Sequence, residues 1–330
     1  MPKPRKALIS LDSTPYYHCI SRCVRRAFLC GEDSLTGKNY EHRKQWVVDR
    51  LTELSTLFAI DIAAYSVLSN HYHIILRVDR QTVDNWSETE LMERWKQLFS
   101  LPVLVSRYAL GEATTQAEID TVHQIFSEWR ERLCDISWFM RCLNEHLARR
   151  GNKEDNCTGR FWEGRFKSQA LLDEAALLTC MGYVDLNPIR ANMASTPEES
   201  DYTSIQQRIR EALNQSTASE RQPALMPLVK QKDDNHPNAI GFTTLDYLEL
   251  VDWAGRAVRE GKRGAIPSGT PPLLQRMGLE ADAFVNYLRG HRGRPHPVAL
   301  GPVEKIRETA KQLGQRFIKG MGESRMLYST

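Results

Sequence analysis

The sequence predicts an α+β fold in which a small antiparallel sheet carries helices, takes a helical insertion, and is followed by a helical C-terminal appendage. Three observations predict it. Short runs rich in β-branched and aromatic residues, bounded by turn formers, recur within the first 172 residues. Between them, apolar residues return at the three- and four-residue spacing of an amphipathic helix. From about residue 213 the texture shifts to polar, proline-punctuated stretches alternating with helical ones.

Taken in order, Tyr16–Arg22 (YYHCISR) follows Pro15 and reads as a first strand. Residues 41–58 place Trp46, Val47, Leu51, Leu54 and Phe58 on one helical face. The apolar runs Ile60–Leu68 and Tyr72–Val78, parted by Ser69-Asn70, read as an antiparallel pair. Residues 86–150 are mainly helical: Ile119, Val122, Ile125, Phe126 and Trp129 share one face, and Phe139, Leu143 and Leu147 define a second helix. Gly151–Gly159 is a polar loop, Phe166–Leu172 a last strand, and Glu174–Leu186 a helix. Strand-helix-strand-strand-helix-strand is the ferredoxin-like pattern, here with an insertion at about 86–135. Asn214–Pro223 and Lys230–Asn238 mark a boundary, so residues 1–215 read as one domain and 216–330 as a helical extension. The extension is expected to hold helices over Thr243–Arg259, Leu279–Arg289 and Val303–Phe317, with a basic loop at Arg289–Pro297. No repeat of fixed period is present.

With 41% apolar and 26% charged residues among 330, the composition is that of a globular protein. A net charge of +3 is too small to identify a nucleic-acid partner, but its distribution is uneven. Residues 1–30 carry Lys3, Arg5, Lys6, Arg22, Arg25 and Arg26 against the single acid Asp12, an arm suited either to phosphate contacts or to solubility. The seven cysteines lack paired zinc spacing and read as reduced, mostly buried thiols. There is no apolar signal core and no membrane-length apolar run, so a cytoplasmic protein is expected.

Three segments could carry chemistry. His71-Tyr72-His73 opens a strand, and residues i and i+2 share a face, so two imidazoles can grip one divalent ion from the same side. Such triplets also occur as satisfied polar residues on a sheet. Tyr183 and Asn187 are four apart, hence on one helical face. A tyrosine beside a cation can act as a nucleophile. Equally, Tyr183 can be a core residue, with Asn187 as N-cap and Pro188 at N1 of a new helix; spacing alone favours the cap. Finally, Gly159–Ser168 (GRFWEGRFKS) interleaves Arg160, Arg165 and Lys167 with aromatics, either to grip phosphates while Trp162 stacks on bases or to form an ordinary packed sheet edge.

Together these segments resemble the single-tyrosine HUH transposases of the REP-associated type. In that family a hydrophobic residue sits between two histidines, as Tyr72 does here. Its GxxWxGRxKS segment is matched by Gly159–Ser168, and its YxxxNPxRA segment by Tyr183–Ala191. A YxSSY tail is met loosely by Tyr202-Thr203-Ser204-Ile205. The resemblance spans roughly residues 10–210 and nothing beyond residue 215.

It implies an HUH endonuclease core in which His71 and His73 hold Mg²⁺ or Mn²⁺ and Tyr183 attacks a phosphodiester. The expected product is a 5′-phosphotyrosine link with a free 3′-hydroxyl, able to rejoin strands in DNA transposition. The expected partner is single-stranded or REP-like hairpin DNA, contacted by Arg22, Arg160, Trp162, Arg165 and Lys167. Asn187 stands where the family places a polar group near the metal, often glutamine, so capping or action through water stays open for it. His18, on the first strand, is a further polar candidate. The stretch from His73 to Tyr183 is longer than the minimal family core. Two other readings remain: a relative that binds DNA without cutting it, and a metal-dependent hydrolase that activates water.

Overall fold

The computed structural model describes residues 8–24, 29–32, 37–113, 115–215, 221–231, 237–259, 269, 271–290 and 297–328. Lys3, Arg5, Lys6, Arg25, Arg26 and most of the basic loop at 289–297 lie outside the described residues. The chain runs β1 (Tyr16–Arg22), α1 (Arg43–Leu57), β2 (Ile60–Val67) and β3 (His71–Val78), then the helices α2 (Arg80–Asn85), α3 (Glu88–Lys96), α4 (Val103–Ala109), α5 (Gln116–Leu133) and α6 (Ile136–Glu154). β4 (Lys167–Leu171), α7 (Glu174–Asp185), α8 (Asn187–Arg190) and α9 (Ser204–Ala212) complete the N-terminal part. α10 (Thr244–Arg259), α11 (Pro272–Arg276), α12 (Ala281–Leu288), β5 (Ala299–Leu300), α13 (Val303–Gln312) and α14 (Met321–Leu327) follow.

The strands form one sheet in the order β2-β3-β1-β4-β5. The pairs β2–β3, β3–β1 and β1–β4 are antiparallel, whereas β5 runs parallel to β4. The sheet is therefore mixed rather than antiparallel throughout, and the C-terminal segment is not helical alone. Ala299–Leu300 is too short a run, between Pro297 and Pro302, to show a strand's alternation in sequence. The same segment reaches the other edge, where Leu225 bridges Ile62 and the Met226 amide donates to the Ile62 carbonyl at 2.9 Å. Both outer strands thus have their open ladder bonds partly covered.

Alternation along the strands divides the core in two. Tyr17, Cys19, Tyr72, Ile74 and Leu76 point to one face, which packs under α1, α5 and α6. On the other face Ala64, Ile75 and Leu171 pack under α7, α10 and α12. α7 is buried on nearly every side because it lies between the sheet and the C-terminal helices. Its start is set by Asp173, whose carboxylate accepts from the Ala176 amide at 2.8 Å. α13 stops at Gln312, short of the Phe317 expected from periodicity. Gly314 takes a φ of +62° there, and its amide and that of Gln315 bond back to the last turn. Among the described residues no helix is long and apolar enough to cross a membrane.

Candidate active site

Register alone assembles most of the site. Arg22 lies opposite His71 and Ile20 opposite His73, while Ile20 also pairs with Lys167 and His18 with Gln169. Directly paired residues share a face, so Arg22, His71, His73, His18, Lys167 and Gln169 all project toward α7. Depth along the strands grades them. Arg22 and Lys167 are exposed and His71 half-buried, whereas His73, His18 and Gln169 are buried.

The histidines form a connected row. The rings of His71 and His73 are 5.0 Å apart, as are those of His73 and His18. His73 Nδ1 lies 2.8 Å from His18 Nε2, and His18 Nδ1 lies 3.3 Å from Gln169 Oε1. His71 Nδ1 donates to Asn70 Oδ1 at 2.6 Å, an amide oxygen that can only accept. That bond leaves His71 Nε2 with the lone pair. Burial, followed by the nearby charges of Arg22, Arg190 and Lys167, pushes His71 down to about 4, so it is neutral at pH 7.

Tyr183 closes the site from the last turn of α7, half-buried, with its ring 5.8 Å from that of His73 and 6.2 Å from that of His18. The Arg190 guanidinium covers its face at 4.2 Å from the ring centroid. Tyr287 of α12 packs 5.9 Å away on another side.

Asn187 is not a helix cap. It is the first residue of α8 and makes no capping bond, because the chain passes from α7 through Leu186 almost without leaving helical geometry. The N3 amide it would have capped is already used, since Arg190 N donates to Leu186 O at 3.0 Å. Its side-chain oxygen instead accepts from Arg190 at 2.6 Å. An oxygen already engaged by a cation is a poor direct metal ligand.

The aromatic segment divides. Lys167 reaches the histidine face. Trp162 packs edge-on at 5.7 Å against Tyr72, whose side chain points to the opposite face of the sheet. Its indole nitrogen donates to the Asn144 carbonyl at 2.8 Å. Arg160 and Arg165 are exposed on the loop before β4. The structure thus gathers Arg22, His71, His73, Lys167, Tyr183 and Asn187, and sets Trp162 apart from them.

Three residues join the site without having been singled out from the sequence. Gln169 was legible in principle, two residues past Lys167 on a strand. Arg190 lay within the tyrosine motif with no role attached. Tyr287 carries no local signal. Among the described residues no group of three or more His, Cys, Asp or Glu side chains could hold a metal ion. Any divalent ion would rest on two imidazoles, completed by water or substrate oxygens.

No protein-family model matches the chain, and no curated protein matches it significantly. Among solved structures it is similar to a REP-associated tyrosine transposase bound to a REP hairpin, at a TM-score of 0.37 and 12% identity. The match covers 68% of this chain and 99% of that one. A likeness so distant carries no functional argument, and the arrangement of the site must speak for itself.

Proposed function

We propose that the chain cleaves and rejoins single-stranded DNA, at hairpins of the REP type, with Tyr183 as nucleophile and Mg²⁺ or Mn²⁺ held at His71 and His73. The observation that supports this reading is the convergence of a tyrosine with two sheet histidines inside a rim of cations. The Tyr183 ring is 5.8 Å from His73, and Arg22, Lys167 and Arg190 act together on His71. A phosphodiester is the ligand whose charge suits that rim.

The donor set fits a divalent ion. His71 is neutral, and its Nδ1 bond to Asn70 leaves Nε2 to coordinate. With three cations close by and no carboxylate among the ligands, such an ion would be held weakly until a phosphate brings negative charge. When bound it would neutralise charge developing on the phosphate oxygens. Tyr183 Oη would form the bond to phosphorus as the bond from phosphorus to the 3′ oxygen breaks. The phenolic proton is given up and the leaving 3′ oxygen ends protonated, so a 5′-phosphotyrosine and a 3′-hydroxyl result. Rejoining is the reverse, and the Tyr183 link conserves the energy of the broken bond. Arg190, stacked on the attacking ring and bonded to Asn187, holds the phenol against the histidine row.

A labelled hairpin oligonucleotide incubated with Mg²⁺ should yield a covalent protein–DNA adduct that mass spectrometry maps to Tyr183. Cleavage products with no adduct would make water the nucleophile and sink this reading. The cationic rim makes a separate prediction. Affinity for single strands should fall linearly on a log scale with salt, and Lys167→Ala should reduce the slope by about 0.7, the value for one phosphate contact on a single strand. Titrations at several salt concentrations measure it, and an unchanged slope would place the DNA backbone elsewhere.

A further inference from the structure

The buried row behind the two histidines has a directional logic of its own. We propose that His18 is a positioning residue that, backed by Gln169, holds His73 in the tautomer whose Nε2 is available to the ion; this rests on the metal-site reading above. Gln169 Oε1 faces His18 Nδ1 at 3.3 Å, and an amide oxygen can only accept. His18 Nδ1 therefore carries its hydrogen, and the neutral ring presents a lone pair at Nε2. His73 Nδ1, 2.8 Å from that lone pair, must then be the donor. The His73 lone pair is left on Nε2, as it is on His71 by the bond to Asn70. Both histidines of the pair are set to the same coordinating nitrogen, one by an amide and the other through a second imidazole.

The alternative arrangement shows why the backing matters. With the Gln169 amide reversed, its nitrogen would donate to His18 Nδ1, His18 would donate from Nε2 to His73 Nδ1, and His73 would carry its hydrogen on Nε2. That tautomer cannot coordinate through Nε2. The orientation of one buried amide therefore decides whether His73 can be a ligand. Tyr287 of α12, buried, is in hydrogen-bonding contact with the Gln169 side chain. A C-terminal helix thus reaches the metal pair through Gln169 and His18 without touching it.

Two variants separate positioning from packing. His18→Phe keeps the ring volume and removes both nitrogens, while His18→Gln keeps an oxygen able to accept from His73. In the metal-free protein, ¹⁵N–¹H correlation spectra of labelled histidines should show His73 as the Nδ1–H tautomer, lost in His18→Phe and kept in His18→Gln. Mn²⁺ titration followed by electron paramagnetic resonance should show affinity weakened by about 10- to 100-fold in His18→Phe, the usual effect of losing such a partner, and largely retained in His18→Gln. A wild-type His73 protonated on Nε2 would overturn the proposal. So would His18→Phe with a lower melting temperature but unchanged Mn²⁺ affinity, since that is a packing role alone. If the wild type binds no Mn²⁺ even with a single-stranded oligonucleotide present, while the tautomer still depends on His18, the positioning stands and the metal-site reading fails.

Discussion

Tyr183→Phe is expected to abolish covalent capture of DNA and to slow strand cleavage by roughly 10⁴- to 10⁶-fold, the scale seen when a catalytic nucleophile is removed. Affinity for the same oligonucleotide should change by less than about threefold, since that corresponds to well under 1 kcal/mol. The contrast follows from what the ring does apart from its hydroxyl. Its edge contacts with His73 and Tyr287 and its face contact with Arg190 all survive in phenylalanine. The cationic rim is untouched as well. Single-turnover cleavage of an end-labelled oligonucleotide, run beside a binding titration, measures both quantities. An adduct that persists in the variant would put the nucleophile elsewhere, and cleavage that persists without an adduct would favour the hydrolytic reading.

The largest effect on stability should come from Asp185, two residues along the same helix but turned away from the site. Its carboxylate is fully buried and accepts from the Ser204 hydroxyl at 2.5 Å, the Ile205 amide at 3.0 Å and the Tyr247 hydroxyl. One side chain therefore ties α7 to both α9 and α10. Asp185→Ala strands three buried donors and should cost about 3–5 kcal/mol, read from urea unfolding with an unchanged m-value. Burial also pushes this carboxyl up to about 6, above the value near 3.9 of an unfolded chain. The folded protein then binds the proton more tightly, so this contribution is complete below about pH 4 and is lost as pH rises toward 6. Asp185→Asn should flatten that part of the stability profile. A wild-type profile that instead climbs between pH 4 and 6, with no difference from Asp185→Asn, would contradict the assignment.

Local patterns carried the parts of the fold that local patterns can encode. Tyr16–Arg22 forms a strand over the range its β-prone residues predict, and the Ser69-Asn70 break falls between two paired strands. The i, i+2 spacing of His71 and His73 was sufficient to put both rings on one face, since strand alternation leaves no other choice. Asn187 was misread because Asn-Pro is a strong start signal, and nothing in the sequence shows that the preceding helix runs straight into the next turn. The place of Trp162 was illegible for a related reason: an aromatic among cations looks the same in sequence whether it faces a base or packs edge-on against Tyr72. β5 and Tyr287 were illegible because their places depend on partners more than a hundred residues away, β4 at 167–171 and Gln169.

Those distant partners give the site a schedule. During synthesis the histidine strand and the tyrosine helix leave the ribosome well before Tyr287 and Ala299–Leu300 exist, and N-terminal parts of a chain fold first. Until then Gln169 lacks its contact with Tyr287, and β4 has no β5 alongside it. A growing chain of this protein would hold His71, His73 and Tyr183 and still lack the contacts that Tyr287 and β5 supply. The C-terminal elements thus complete surroundings whose other half the N-terminal part already carries.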